Sequence, residues 1–300
     1  MPNNIRLSPS GISTFAQCEA KFYYRHVLKI PEKPSVFQIR GRIIHKVFEL
    51  FFENIQIAKI EKKKHWHSVW QDFKSFIFEL LDTEWEKIGK QDSPYMDIFE
   101  SKEQKEFLYQ ETKEFLDFFC VKMAYSLFNK AQELKDDEWF EQNLKKHFYP
   151  KHREFKIELL QDNIVGFIDK TLSLYGEGVA IVDYKTSKSS LPHFIAESDL
   201  KQCKAYAWLW FKKFKELPKF VSVFYVRDGE SIYYPISEKD LQTLKAFAPK
   251  ALSFPPFRKA RAFCATTAIF SKNASKAGKS LREHSQALNG NCLKKHWFLS

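Results

Sequence analysis

The 300-residue chain lacks the features that mark several protein classes. It has no run of about eighteen consecutive apolar residues, the length a membrane-spanning helix needs, and its first residues, MPNNIRLSPSG, contain no apolar signal core. A soluble cytoplasmic protein with no membrane partner is expected. Five cysteines, odd in number and scattered, argue against a disulfide framework and fit a reducing compartment. Cys120 and Cys203 fall in helical patterns and read as buried thiols. No Walker A sequence, G-x-x-x-x-G-K-[ST], occurs, so ATP-driven work would have to come from another chain. Internal repeats and low-complexity linkers are also missing, and glycine and proline are scarce between about Phe51 and His152.

What is present is apolar and aromatic. At 44% apolar content, with 30 Phe, the chain can bury a sizeable core, and one domain carrying a helical insertion is expected. FKSFIFELLDTEWEKI and QKEFLYQETKEFLDFFCVKMAYSLF repeat apolar residues at three and four spacing, the period of amphipathic helices, and a break at Gly89 to Pro94 separates them. The insertion is placed at about 52–152. The net charge of +11 invites a nucleic-acid partner. Residues 265–300 hold six Lys/Arg and one Glu, so residues 1–264 carry only +6. Charge alone therefore favours such a partner weakly.

Chemistry concentrates between Gly166 and Thr186. Val179 to Val182 form a short apolar run of strand type, and Gly176-Glu177-Gly178 marks a turn between it and the alternating segment before it. With the turn centred on Gly176 and Glu177, paired residue numbers sum to about 353, which sets Asp169 beside Asp183 or Tyr184. Asp183 and Lys185 share one strand face and Tyr184 points to the other. Two carboxylates and an amine then converge. Carboxylates of this kind hold Mg²⁺, with water and substrate phosphate completing the shell. A nearby lysine can orient or deprotonate the attacking water, or neutralise charge on the phosphate. D-x-K by itself is more often an ordinary exposed ion pair; G-x-x-D in front of it changes that reading.

GFIDK, IVDYKTSK and QCKAYAWLW together resemble the RecB-like branch of the PD-(D/E)XK nucleases, which includes nuclease domains of AddAB-type recombination enzymes and CRISPR-associated exonucleases. Gly41-Arg42-Ile43-Ile44-His45 is similar to that family's G-x-x-x-H motif. The resemblance implies an α/β restriction-endonuclease-like core with a central mixed sheet and flanking helices, and a metal-dependent DNA nuclease acting in recombination, repair or end processing. It implies Mg²⁺ or Mn²⁺ held by Asp169, Asp183, His45 and the Tyr184 carbonyl, with the imidazole biasing the site toward Mn²⁺. Lys185 would position water, and Gln202 and Tyr206, one turn apart on a helix, would hold the substrate backbone or support Lys185. Glu49 reads as solvated. The alternatives are a non-catalytic nucleic-acid-binding protein of the same fold, or a subunit that acts only with a helicase or recombination partner.

LSPSGISTFAQCEAKFYYRHVLKI resembles the family's opening segment, with Ser8 or Ser10 as a helix N-cap and Pro9 in the first turn. Glu19 stands where the family usually has proline. In many such nucleases the cysteine here is one of four ligands of a [4Fe–4S] cluster, the other three lying near the C-terminus. Cys18 and Cys264 match two of the positions; Cys292 is too distant, so the ligand set is incomplete. Codons that would encode Ala265 to Ser275 can be chosen so that reading from the third base supplies the two missing cysteines. Residues 265–300 accordingly read as an out-of-frame tail, with a divergent native tail as the alternative. The gene's nucleotide sequence decides between them.

Overall fold

A computed structural model describes residues 6–57, 65–89, 98–174, 178–188 and 194–242. The turn expected at Gly176-Glu177, Cys264, Cys292 and the whole of the 265–300 tail lie outside these residues. Among those described, the chain forms seven α-helices and five strands. The helices are α1 (Pro9–Gln17), α2 (Glu19–Phe22, running on as a π-helical turn Tyr23–Val27), α3 (Val36–Asn54), α4 (Trp66–Glu86), α5 (Lys102–Glu133), α6 (Phe140–Phe148) and α7 (Glu197–Phe214). The strands are β1 (His152–Leu159), β2 (Ile164–Ser173), β3 (Val179–Lys185), β4 (Phe220–Tyr225) and β5 (Glu230–Pro235).

Local chemistry sets the helix starts. Ser8 caps α1 by accepting from Gly11 N at 3.0 Å, and Pro9 occupies the first turn, where its missing N–H costs nothing. Ser35 and Gln38 form a reciprocal capping box at the start of α3. From there Ile39, Ile43, Ile44, Val47, Phe48, Phe51 and Phe52 recur at helical spacing and are all buried. The helices α4, α5 and α6 lie within the segment at about 52–152.

The strands lie in the order β1-β2-β3-β4-β5, antiparallel except for β3 and β4. That parallel pair requires a crossover, which α7 provides. Helices cover both faces, so the sheet is the mixed α/β arrangement expected. On one face Ala180, Val182, Tyr184 and Phe224 join the apolar cluster of α3, α4, α5 and α6. On the other, Ile168, Val179, Ile181, Val221 and Val223 pack with Ile12 and Phe15 of α1 and with Leu209 and Trp210 of α7. The odd-numbered face of β3 is therefore the α7 face, and it ends in Asp183 and Lys185.

Gly166 shows why α1, α7 and β2 can pack so closely. A Cβ there would stand 2.7 Å from Leu209 Cδ1 and 3.1 Å from Pro9 Cγ, both part of tightly packed surroundings. The β4–β5 turn is a four-residue loop. Tyr225 pairs with Glu230, so the loop spans residues 226–229, with Gly229 at φ +60°, and Val226 N bonds to Lys185 O on β3 at 2.8 Å. Among the described residues, Cys120 and Cys203 are buried and unpaired, and no helix is long and apolar enough to cross a membrane.

Away from the sheet, His147 of α6 lies 3.2 Å through Nε2 from Ser126 Oγ of α5. Burial, reinforced by the charges of Lys130 and Lys170, lowers its pKa to about 4 from an ordinary 6.5. Between those values the unfolded chain binds more protons than the folded one, so stability falls as pH drops from 6.5 towards 4. Urea titrations across that window should show a loss of about 1–3 kcal/mol from this group, allowing for its partial exposure. His147→Gln should flatten that slope; an unchanged slope would mean His147 titrates normally. Gly166→Val should destabilise the protein by about 1–3 kcal/mol through overpacking against Leu209 and Pro9, read as a lower urea midpoint with m unchanged.

Candidate active site

Helix α3 meets the end of β3 at Gly41, where a Cβ would lie 3.3 Å from Thr186 Oγ1. One turn later His45 faces the same strand end. Its Nε2–H donates to the Tyr184 carbonyl at 3.0 Å, and its Nδ1 lies 3.3 Å from Asp169 Oδ1. The Tyr184 ring turns the other way and packs against Phe48 and Phe224, so β3 is anchored in the core beneath the polar cluster.

Asp169 sits where β2 and β3 part. Their ladder runs from Ser173–Val179 to Lys170–Val182 and stops. The next backbone donor, Tyr184 N, is taken by Asp169 Oδ2 at 2.7 Å. A side chain thus replaces a ladder carbonyl and opens the strands at this point. The neighbouring β1–β2 ladder is interrupted at the same level, between the Arg153–Lys170 and Phe155–Ile168 pairs. The interrupting residue is Glu154, whose φ of +40° lies in the region that favours glycine. Face alternation slips there. Arg153 donates to Phe52 O on the α3 side, whereas Phe155 stacks near Phe214 on the α7 side. A strained backbone of this kind costs on the order of 1–3 kcal/mol and persists only where surrounding packing enforces it.

The result is a compact donor set. Ligand atoms of His45, Glu154 and Asp169 all lie within 4.8 Å of one another. Asp183 is set on the α7 side of this group, 2% exposed, with Oδ2 2.5 Å from Lys185 Nζ. Lys185 also donates to Gln202 Oε1 at 3.0 Å. The Gln202 amide nitrogen then donates to Asp183 Oδ1 at 3.4 Å and to the Tyr206 hydroxyl at 3.2 Å. Spaced by one helical turn, Gln202 and Tyr206 brace the amine of Lys185 from α7.

Electrostatics follow from crowding carboxylates in a buried cleft. Burial and the Asp169 charge push Glu154 up to about 7. Burial also raises Asp183, against the pull of Lys185 and with a push from Asp169. Burial works against charge on His45, yet the charge and hydrogen bond of Asp169, helped by Asp183 and Glu154, raise it to about 9. For Lys185 burial is likewise outweighed by the Asp183 carboxylate, which holds the ammonium protonated above its ordinary value. One imidazole nitrogen beside hard carboxylate oxygens is a donor set for a divalent metal ion. A cation would also relieve the repulsion that raises Glu154 and Asp183. The residues present fit a divalent ion.

His45, Asp169, Asp183, Tyr184, Lys185, Gln202 and Tyr206, singled out in the sequence, all meet at this cleft. Glu154 was missed. In HREFKIEL it has the same strand parity as Glu158, and only the β1–β2 register and the left-handed backbone set it opposite Asp169. Glu49 forms an ion pair with Lys46 at 2.7 Å on the α3 surface. Cys18 caps α2, its sulfur accepting from Lys21 N at 3.5 Å.

No curated protein matches the sequence. A match to the PD-(D/E)XK nuclease superfamily covers residues 6–292. It takes in each strand of the sheet and every residue of the cleft. With a mixed sheet splayed around paired aspartates and a lysine two residues beyond the second, the chain belongs to the PD-(D/E)XK nuclease superfamily.

Proposed function

We propose that this chain hydrolyses phosphodiester bonds in DNA with Mg²⁺ or Mn²⁺ held by His45, Glu154, Asp169 and Asp183, the Tyr184 carbonyl assisting. The observation that carries this reading is the meeting of His45, Glu154 and Asp169 within 4.8 Å, beside the Asp183–Lys185 pair. A bound divalent ion supplies a more acidic water and offsets charge on the phosphate. Lys185, kept charged by Asp183, acts as a donor: it orients the attacking water and meets charge developing on the scissile phosphate. Gln202 fixes the position of that amine and Tyr206 fixes Gln202, so both are positioning residues.

Within the superfamily, GRIIH, GFIDK, IVDYKTSK and QCKAYAWLW support the RecB-like branch and a role in recombination, repair or end processing. An iron–sulfur cluster is not part of this proposal, because Cys18 and Cys264 make only half a ligand set. Frame loss after Cys264 remains our account of that shortfall, and the nucleotide sequence tests it: codons unable to give cysteines in the shifted frame remove the idea.

Cleavage of end-labelled DNA by the purified chain should require Mn²⁺ or Mg²⁺ and stop in EDTA. Asp183→Ala and Lys185→Ala should each lower the rate by at least about 10³-fold while the circular dichroism spectrum is retained. A folded variant that cuts at the normal rate sinks the assignment. Glu154→Gln should weaken Mn²⁺ binding by about 10-fold, measured as a smaller metal-induced rise in melting temperature. Equal rises in variant and wild type would remove Glu154 from the donor set.

A further inference from the structure

Beside the cleft lies a patch that the chemistry above does not use. Phe37 precedes His45 by two turns on α3, about 12 Å along the helix and about 80° around it. Phe37 is 58% exposed, and Phe118 on α5 is 59% exposed. Between them is a built cluster. Buried Arg40 lies with its guanidinium 5.4 Å from the Phe37 ring and 5.2 Å from that of Phe115, and pairs with Glu111. Its Nε is buried and has no hydrogen-bond partner among the described residues. Arg227 in the β4–β5 loop reaches the other Glu111 oxygen at 3.1 Å, lies over the same Phe115 ring, and is 44% exposed. Gly229 in that loop abuts Phe118, and its carbonyl accepts from Lys122. Glu111 thus pairs with two guanidiniums, of which Arg227 is the exposed one. The loop is joined to the cleft through the Val226–Lys185 backbone bond, and α3 through Gly41 against Thr186.

We infer that Phe37, Arg227 and Phe118 form a platform for unpaired nucleotides of the substrate strand. The phenylalanine rings stack on bases and Arg227 meets a phosphate. Exposed ring faces flanking a cation match a single strand, whose bases present free faces; in a duplex those faces are stacked away. The inference rests on the nuclease reading for its substrate class, but binding can be measured without cleavage.

The test is equilibrium binding of a fluorescent oligothymidylate and of a hairpin duplex to the full chain in EDTA, by anisotropy. Phe37→Ala and Phe118→Ala should each weaken single-strand binding by about 10-fold and leave duplex binding within about twofold. Phe37→Trp should keep it, and Leu160→Ala, at an exposed site on the β1–β2 turn, should change nothing. Unchanged single-strand binding in both alanine variants overturns the platform. So does an equal loss on the duplex, or a wild-type chain that binds no single strand. A chain that binds through these rings yet cuts nothing with Mn²⁺ would overturn the nuclease reading and leave the platform standing.

Discussion

Everything at the cleft depends on holding three carboxylates together in surroundings of low dielectric. Glu154, Asp169 and Asp183 repel one another and lose hydration, and each needs a compensating partner. The fold supplies one partner to each side: His45 from α3 to Asp169, and Lys185, braced by Gln202, to Asp183. His45 and the Gln202 brace come from helices on opposite faces of the sheet, while Lys185 itself stands on β3. The cleft therefore exists only while both faces are packed.

That requirement explains where the apolar residues go. Tyr184 is wedged against Phe48 and Phe224 on one face, while the residues flanking it in β3, Asp183 and Lys185, look to the other. A strand with alternate residues in an aromatic core and in an acidic cleft cannot slip by one position without exchanging the two environments. Register and chemistry are thus fixed by the same contacts. The distortion at Glu154 is held in the same way, by Arg153 tied to α3 and Phe155 seated against α7.

The parts legible from sequence were those with short-range rules. Strand parity placed Asp183 and Lys185 together, helical spacing joined Gln202 to Tyr206, and the Ser8-Pro9 cap announced α1. Pairing by simple counting put Asp169 beside Asp183 or Tyr184; the ladder stops one pair short of Asp169, whose carboxylate instead takes the Tyr184 N–H. Glu154 was illegible because its role comes from a backbone excursion in β1 that no local residue signals. The Arg40–Glu111–Arg227 cluster was illegible for another reason: its members are 71 or more residues apart or belong to separate elements, and nothing in their neighbourhoods links them.

The helices α4, α5 and α6 interrupt the chain between α3 and β1, yet in space they interrupt nothing. Their apolar faces share a single cluster with Phe48 of α3 and with Ala180, Val182, Tyr184 and Phe224 of the sheet. They are the far wall of the room in which β3 is anchored. This segment is consequently not a detachable module, and a minimal nuclease cannot be made by splicing α3 to β1. Such a splice would keep every cleft residue in the chain and strip the support from behind Tyr184, leaving the motif intact and the strand beneath it without a place to stand.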